Sequence, residues 1–264
     1  MTLHQPAILL AVLAAVGCGA PPGSGRPDAG ELETDAGPFD TGPCETTPVS
    51  CPQESVDALR LGNVVSPGDV TNALDGADWV TKVDGTRSGG GGGGLRFSYV
   101  YGRFDPERGL VKVEIDDQAA FQSMDWDIAF RRAGIRINSG DSGPSCVKAT
   151  RAPPTLPFDE IFGIDMAQED AAWRVDDFLS PMCTYIPDGS GLDLPATALS
   201  GYFSMGSCLQ MRGHTYFIAL RDGRHVKLRV ESVYTPEEQD DCDRGDSVSF
   251  RSHGRFTIRW SFVD

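Results

Sequence analysis

Four histidines and a surplus of carboxylates are the side chains in this sequence that could carry acid–base or metal chemistry. His4 lies at the start of the chain; His214, His225 and His253 fall in its C-terminal part. None sits in a catalytic pattern, because there is no His-Glu-x-x-His pair and no Gly-x-Ser-x-Gly elbow. His225 lies on the charged face of an alternating segment and reads as a solvated surface residue. His253 stands in a Ser-His-Gly turn, and His214 opens a hairpin from which it could reach a site at a sheet's end. Asp125 with Asp127, and the cluster Asp240, Asp241 and Asp243, could hold calcium, yet neither follows the EF-hand ligand pattern. Solvated turn carboxylates are the plainer reading. Ser88 and the glycines Gly89–Gly94 suggest a phosphate cradle, but no Lys-Ser/Thr or helix-forming stretch follows, so they predict a hairpin tip. This inventory points to binding rather than catalysis. A secreted hydrolase, or a calcium-dependent glycan binder using the acidic loops, remains as the reading from another class.

The cysteines carry a second chemistry. Ala7–Gly17 is an apolar run too short to span a bilayer of about 30 Å, which takes about 20 helical residues. It has the length of a signal-peptide core. It leads into Ala15-Val16-Gly17-Cys18, which is similar to a bacterial lipobox, whose cysteine thiol takes a diacylglycerol. Ala15 stands where leucine is usual, and Met1–Pro6 lacks Lys and Arg. Residues 1–17 are therefore expected as a signal peptide, Cys18 as the lipid acceptor, and residues 18–57 as a flexible acidic tether. Gly19 after the cysteine, in place of Asp, favours the outer membrane. No other segment is long and apolar enough to span a membrane. Of the seven cysteines, removing Cys18 leaves six: Cys44, Cys51, Cys146, Cys183, Cys208 and Cys242. An even number in an exported chain reads as disulfides whose pairing is open. Cys44 and Cys51 are close enough to close a small loop inside the tether, leaving the other four for the domain. Their spacing is unlike a structural zinc site. The net charge of −15 opposes a nucleic-acid partner.

The elements that must position these groups are mostly strands. Arg255–Phe262 alternates strictly, with Phe256, Ile258, Trp260 and Phe262 on one face. His225–Glu231 does the same with Val226, Leu228 and Val230. Thr215–Arg221 precedes it across Asp222-Gly223, a pair favoured in two-residue turns where both positions take positive φ. Leu95–Arg103, Val111–Ile115, Trp126–Phe130 and Ile135–Asn138 are further strands; Met166–Phe178 is the best helix candidate, and the Cys242 segment reads as an acidic loop. The expected fold is all-β, with antiparallel sheets around one core over residues 58–264 and few short helices.

Several segments together resemble the HmuY family of exported haem-binding lipoproteins. The chief one is Trp126-Asp-Ile-Ala-Phe-Arg-Arg-Ala-Gly-Ile-Arg-Ile-Asn-Ser-Gly-Asp-Ser-Gly143, similar to that family's Trp-Asp strand, Arg and Asn-x-Gly-x-Ser-Gly turn. The hairpin Tyr216–Tyr234, the closing strand Phe256–Phe262 and the aromatic strand near Phe97–Tyr101 follow in the family's order, so the likeness spans about residues 68–264. The resemblance implies a haem held between two loop-borne axial side chains, His or Met, and a role in haem scavenging beside an outer-membrane transporter. It places Met205, in Gly201–Gly206, at one ligand position. The second should come from about residues 164–190, which contain Met166 and Met182 but no histidine. The alternative for each methionine is a gap-filler in the core or a loop. Cys183 and Cys208 flank Met182 and Met205, so a disulfide between them could join the two loops, fixing the pocket or replacing the haem clamp. The same fold as a structural or protein-interaction module without haem is the runner-up.

Overall fold

The computed structural model describes residues 44–90, 96–164 and 172–264. Signal residues 1–17, the lipid-acceptor candidate Cys18, the tether up to residue 43 and the ligand candidate Met166 lie outside the described residues.

In chain order, helix α1 (Pro52–Leu59) is followed by strands β1 (Val70–Asp75), β2 (Asp78–Asp84), β3 (Gly89–Gly90), β4 (Arg96–Phe97), β5 (Val100–Asp105) and β6 (Gly109–Val113). Then come helix α2 (Asp117–Ala120), β7 (Ile128–Arg131), β8 (Gly134–Ile137), β9 (Lys148–Arg151), β10 (Phe203–Met205), β11 (Leu209–Met211), β12 (Thr215–Ala219) and β13 (His225–Ser232). Helix α3 (Pro236–Asp243) and β14 (Arg255–Val263) end the chain. A six-stranded sheet runs β1-β2-β14-β13-β12-β9 and a four-stranded sheet β6-β5-β7-β8, with every paired strand antiparallel. The fold is all-β with three short α-helices among the described residues.

The two sheets face each other because their alternating residues each supply one apolar side. Phe256, Ile258 and Trp260 of β14 and Val226, Leu228 and Val230 of β13 share one core with Val100 and Phe104 of β5, Ile128 and Phe130 of β7, and Ile135 and Ile137 of β8. Aromatic rings bridge the layers, Phe104 to Trp260 at 4.8 Å and Phe130 to Phe256 at 5.0 Å. The opposite face of the four-stranded sheet is also buried: Tyr99, Tyr101, Trp126, Ala120 and Ala129 form a second cluster. Among the described residues no helix is long and apolar enough to cross a membrane.

Several expectations are corrected. Residues 172–178, the described part of the expected helix Met166–Phe178, are extended; Arg174 and Ala149 exchange backbone hydrogen bonds of 2.8 and 2.9 Å. The Cys242 segment is helix α3, started by a capping box in which Thr235 and Glu238 satisfy each other's backbone N–H groups. The Asp222-Gly223 turn places only Gly223 at positive φ (83°). Gly223 N–H donates to Leu220 O while Leu220 N–H donates to Arg224 O, so the connection is a longer loop with Asp222 in ordinary backbone.

The disulfides are Cys44–Cys146, Cys51–Cys183 and Cys208–Cys242. There is no Cys44–Cys51 loop and no Cys183–Cys208 clamp. Residues 44–57, read from composition as the end of the tether, are instead fastened to the domain at Cys44 and Cys51, and Leu59 at the end of α1 is buried with Phe178 and Leu179. Acidic, proline-rich composition gave no sign of this anchoring, because it rests on two disulfides and a small apolar cluster around Cys51 and Leu59.

Candidate functional site

The signature Trp126–Gly143 builds a buried polar lock behind the four-stranded sheet. Arg136 alternates out of the main core on β8 and is fully buried. Its Nη2 donates to Ser142 O at 2.7 Å, Nε to Ser142 Oγ at 3.2 Å and Nη1 to Tyr101 OH at 3.4 Å. The guanidinium lies 4.5 Å from the Tyr99 ring centre and 5.4 Å from that of Trp126. Two buried carboxylates complete the network. Asp117 accepts from Tyr101 OH at 2.6 Å and from the N–H groups of Gly62 and Tyr99. Asp176 accepts from Ser142 Oγ at 2.5 Å, Ile137 N–H at 3.0 Å and Ala198 N–H at 2.9 Å. Burial pushes the Asp176 carboxyl up to about 6 and the Tyr101 phenol well above its usual range.

The rest of the signature serves the same turn. Trp126 Nε1 donates to Ala120 O at 2.8 Å, and Asn138 Nδ2 donates to Ser123 O and Trp126 O, both at 2.9 Å. Gly143 is required because a Cβ there would stand 2.3 Å from Asn138 Oδ1. The residues that carry the family resemblance therefore hold the fold, and their polar groups are occupied by one another.

The methionine candidates lie elsewhere, on two separate disulfide-stapled loops. Met182 sits in the turn 180–184, where Cys183 N–H donates to Ser180 O and Ser180 N–H to Thr184 O, and Cys183 is tied to α1 through Cys51. Met205 ends β10 and pairs with Leu209 of β11, and Cys208 between them is tied to α3 through Cys242. Gln210 Nε2 donates to Cys242 O and Met211 N–H to Asp243 Oδ1, so the β10–β11 hairpin rests on α3. Both methionines reach solvent, with exposures of 88 % for Met182 and 46 % for Met205. Neither fills a core gap.

The histidines are not gathered into a site. His253 is buried, its Nδ1 bonded to Phe250 O, and burial lowers its pKa. His225 is half-buried, its ring 6.1 Å from that of Trp173, so it is not the solvated residue expected. Burial lowers its pKa and that of His214, whose neighbours Arg151 and Arg212 add to the effect. The acidic groups are likewise separate. Asp125 pairs with Arg221, and Asp243 Oδ1 accepts from Met211 and Gln239. Among the described residues, the His, Cys, Asp and Glu side chains gathered closely enough for a metal are Cys51, Glu54 and Cys183, whose two sulfurs form a disulfide.

Two cavities stand out among the described residues. One, behind Tyr99, Arg136 and Tyr202, has a volume of about 10 Å³, room for one water. The other, about 270 Å³, opens at the β12–β13 turn and is walled by Arg103, Asp105, Asp127, Arg221, Asp222 and Arg224. At its floor Asp127 Oδ2 accepts from Phe104 N–H at 3.0 Å, and burial pushes the carboxyl up to about 6. The sequence offered Asp127 as a calcium ligand or, more plainly, a solvated turn carboxylate; it is instead buried, and nothing in its local pattern reveals the arginines that the fold brings around it.

No family model and no curated protein matches the sequence. Solved structures do. A protein from Bacteroides vulgatus assigned as HmuY-like and heme-binding matches with a TM-score of 0.41 at 14 % identity, over 70 % of this chain and 91 % of that one. A protein from Bacteroides fragilis assigned as a lipoprotein gives 0.39 at 11 %, over 71 % and 91 %. The apo HmuY analog of Tannerella forsythia gives 0.39 at 12 %, over 74 % and 97 %. The chain is similar to these in backbone path; identities of this order say nothing about which side chains meet a ligand.

Proposed function

We propose that this chain is an exported, lipid-anchored capture protein without catalysis, binding haem through Met205 with Met182 as the second axial ligand. The observation that carries this reading is the exposure of both thioethers on loops held by disulfides. Soft thioether sulfur ligates haem iron, and methionine ligation raises the iron's potential. Haem would supply the bound metal and the redox chemistry; the chain's own part is to present the two sulfurs and hold their loops. The lipid on Cys18 and the residues after it would keep the domain at the outer membrane, within reach of a transporter. Met166 is the alternative second ligand.

The test is haemin titration of the full chain, followed by the Soret band. Saturable binding with a shifted Soret maximum, weakened at least tenfold in Met205→Ala, supports the reading. Absence of a saturable shift overturns it and leaves the second reading, the same fold as an interaction module without cofactor. One observation favours that second reading: neither cavity is lined by Met182 or Met205, and the two loops are stapled independently.

A further inference from the structure

The 270 Å³ cavity is walled by three arginines and three aspartates, and their bonding is uneven. Asp105 is saturated, accepting from Glu107 N–H, Arg108 N–H and the Arg108 guanidinium. Asp222 and Arg224 are paired through two hydrogen bonds of 2.9 and 2.7 Å. Arg221 is held by Met124 O and stands 3.7 Å from Asp125. Arg103 and Asp127 are the least engaged of the six, although Arg221, bonded through Nη1 alone, also acts on the Asp127 charge. The Arg103 guanidinium has no hydrogen bond or ion pair within the described residues, and it is near enough to Asp127 to act on its charge. Asp127 is only 3 % exposed, yet its carboxylate takes a single hydrogen bond, from Phe104 N–H, and lines the cavity with the other oxygen unused.

A buried carboxylate with a free oxygen and a guanidinium with free donors, facing one polar space without closing on each other, form a two-point receptor. The wall carries equal numbers of positive and negative groups, so a simple anion or cation gains little from its overall field. A ligand bearing both charges fits, because its ammonium can fill the free Asp127 oxygen while its carboxylate spans the planar fork of Arg103. We propose that this cavity binds a small zwitterion of the free amino-acid class, ammonium on Asp127 and carboxylate on Arg103. The site is separate from the methionine loops and does not depend on haem binding.

The experiment is calorimetric titration of the full chain with each of the twenty free L-amino acids, with acetate and ethylamine as single-charge probes. At least one amino acid should bind saturably with a Kd of about a millimolar or tighter, while acetate and ethylamine at equal concentration should not bind. Asp127→Asn keeps an oxygen for Phe104 N–H but lacks the charge, and Arg103→Gln removes a side chain that makes no described bond. Each should weaken binding at least tenfold while the haemin titration is unchanged. Binding of none of the amino acids, equal binding of acetate alone, or full affinity in Arg103→Gln would each overturn the proposal.

Discussion

Ser142 donates its hydroxyl to Asp176 at 2.5 Å, and this bond ties the signature turn to the segment that was the best helix candidate in the sequence. Asp176 also accepts from Ile137 and Ala198, so one buried carboxylate gathers β8, the turn after it and the loop before β10. Three donors converge on two oxygens. Such a group is costly to bury and costly to alter.

Asp176→Asn should lose about 1–3 kcal/mol, since the amide offers an acceptor on one side only and turns a donor toward another donor. The loss should depend on pH. Burial raises the folded-state carboxyl to about 6, above its unfolded value near ~3.9. The stability it contributes by holding a proton is therefore complete below about pH 4 and disappears as pH rises through about 6. Asparagine has no such slope. Denaturant unfolding of both proteins across this window should show the wild-type advantage narrowing as pH rises; a gap that widens would contradict the assignment.

Arg136→Lys should destabilise by about 2–4 kcal/mol despite retaining the charge. Arginine reaches Ser142 Oγ, Ser142 O and Tyr101 OH with three different nitrogens, and it stacks near Tyr99 and Trp126. An ammonium can satisfy part of that set from one point and cannot stack as a plane. Thermal and denaturant melts measure the loss; a variant within about 0.5 kcal/mol of wild type would show that the guanidinium geometry is dispensable.

Strict alternation made β13 and β14 legible, because each buries one face against a second sheet; the other face is itself partly covered, with Lys227 of β13 buried and donating to Phe158 O and Ile161 O. Helix α3 was also legible in principle: Thr235-Pro-Glu-Glu238 is a capping-box sequence before a short helix. It was hidden by an acidic composition that reads as loop. The disulfide pairing could not be read, since Cys44–Cys146 and Cys51–Cys183 join residues 102 and 132 positions apart and only the tertiary fold brings them together. The signature residues were recognisable while their role was not. Trp126, Arg136, Asn138 and Gly143 carry the family resemblance in sequence, and the structure commits their polar groups to holding the turn and its neighbours.

Replacing Cys208 and Cys242 together by serine should cost about 2–4 kcal/mol, the range for loss of a native cross-link closing a loop of this length. The cost should fall mainly on the β10–β11 hairpin, which α3 holds through this bond and the contacts of Gln210 and Met211. Hydrogen exchange would show lost protection at Leu209–Met211 with β13 and β14 unchanged. If Met205 ligates haem, haemin affinity should fall in the same variant.

Gly140→Ala should be far more damaging than Gly223→Ala, although both glycines have positive φ, 58° and 83°. The backbone term is shared and costs about 1–2 kcal/mol for an L side chain in the left-handed region. Around Gly223 an added Cβ meets nothing within 4 Å, so that term should be the whole effect. At Gly140 the Cβ would stand 2.2 Å from Asp176 O and 3.0 Å from Val175 Cγ2. Backbone cannot swing aside as a flexible side chain does, and Asp141 N–H donates to that same carbonyl at 2.7 Å. Relieving the clash means pulling the Asp176 segment off the turn and breaking the Ser142 and Ile137 bonds with it. Gly140→Ala should therefore lose at least about 3 kcal/mol in denaturant melts or fail to fold, with Gly223→Ala remaining within about 2 kcal/mol of wild type. Equal losses at the two positions would mean that the turn and the Asp176 segment are not locked as described.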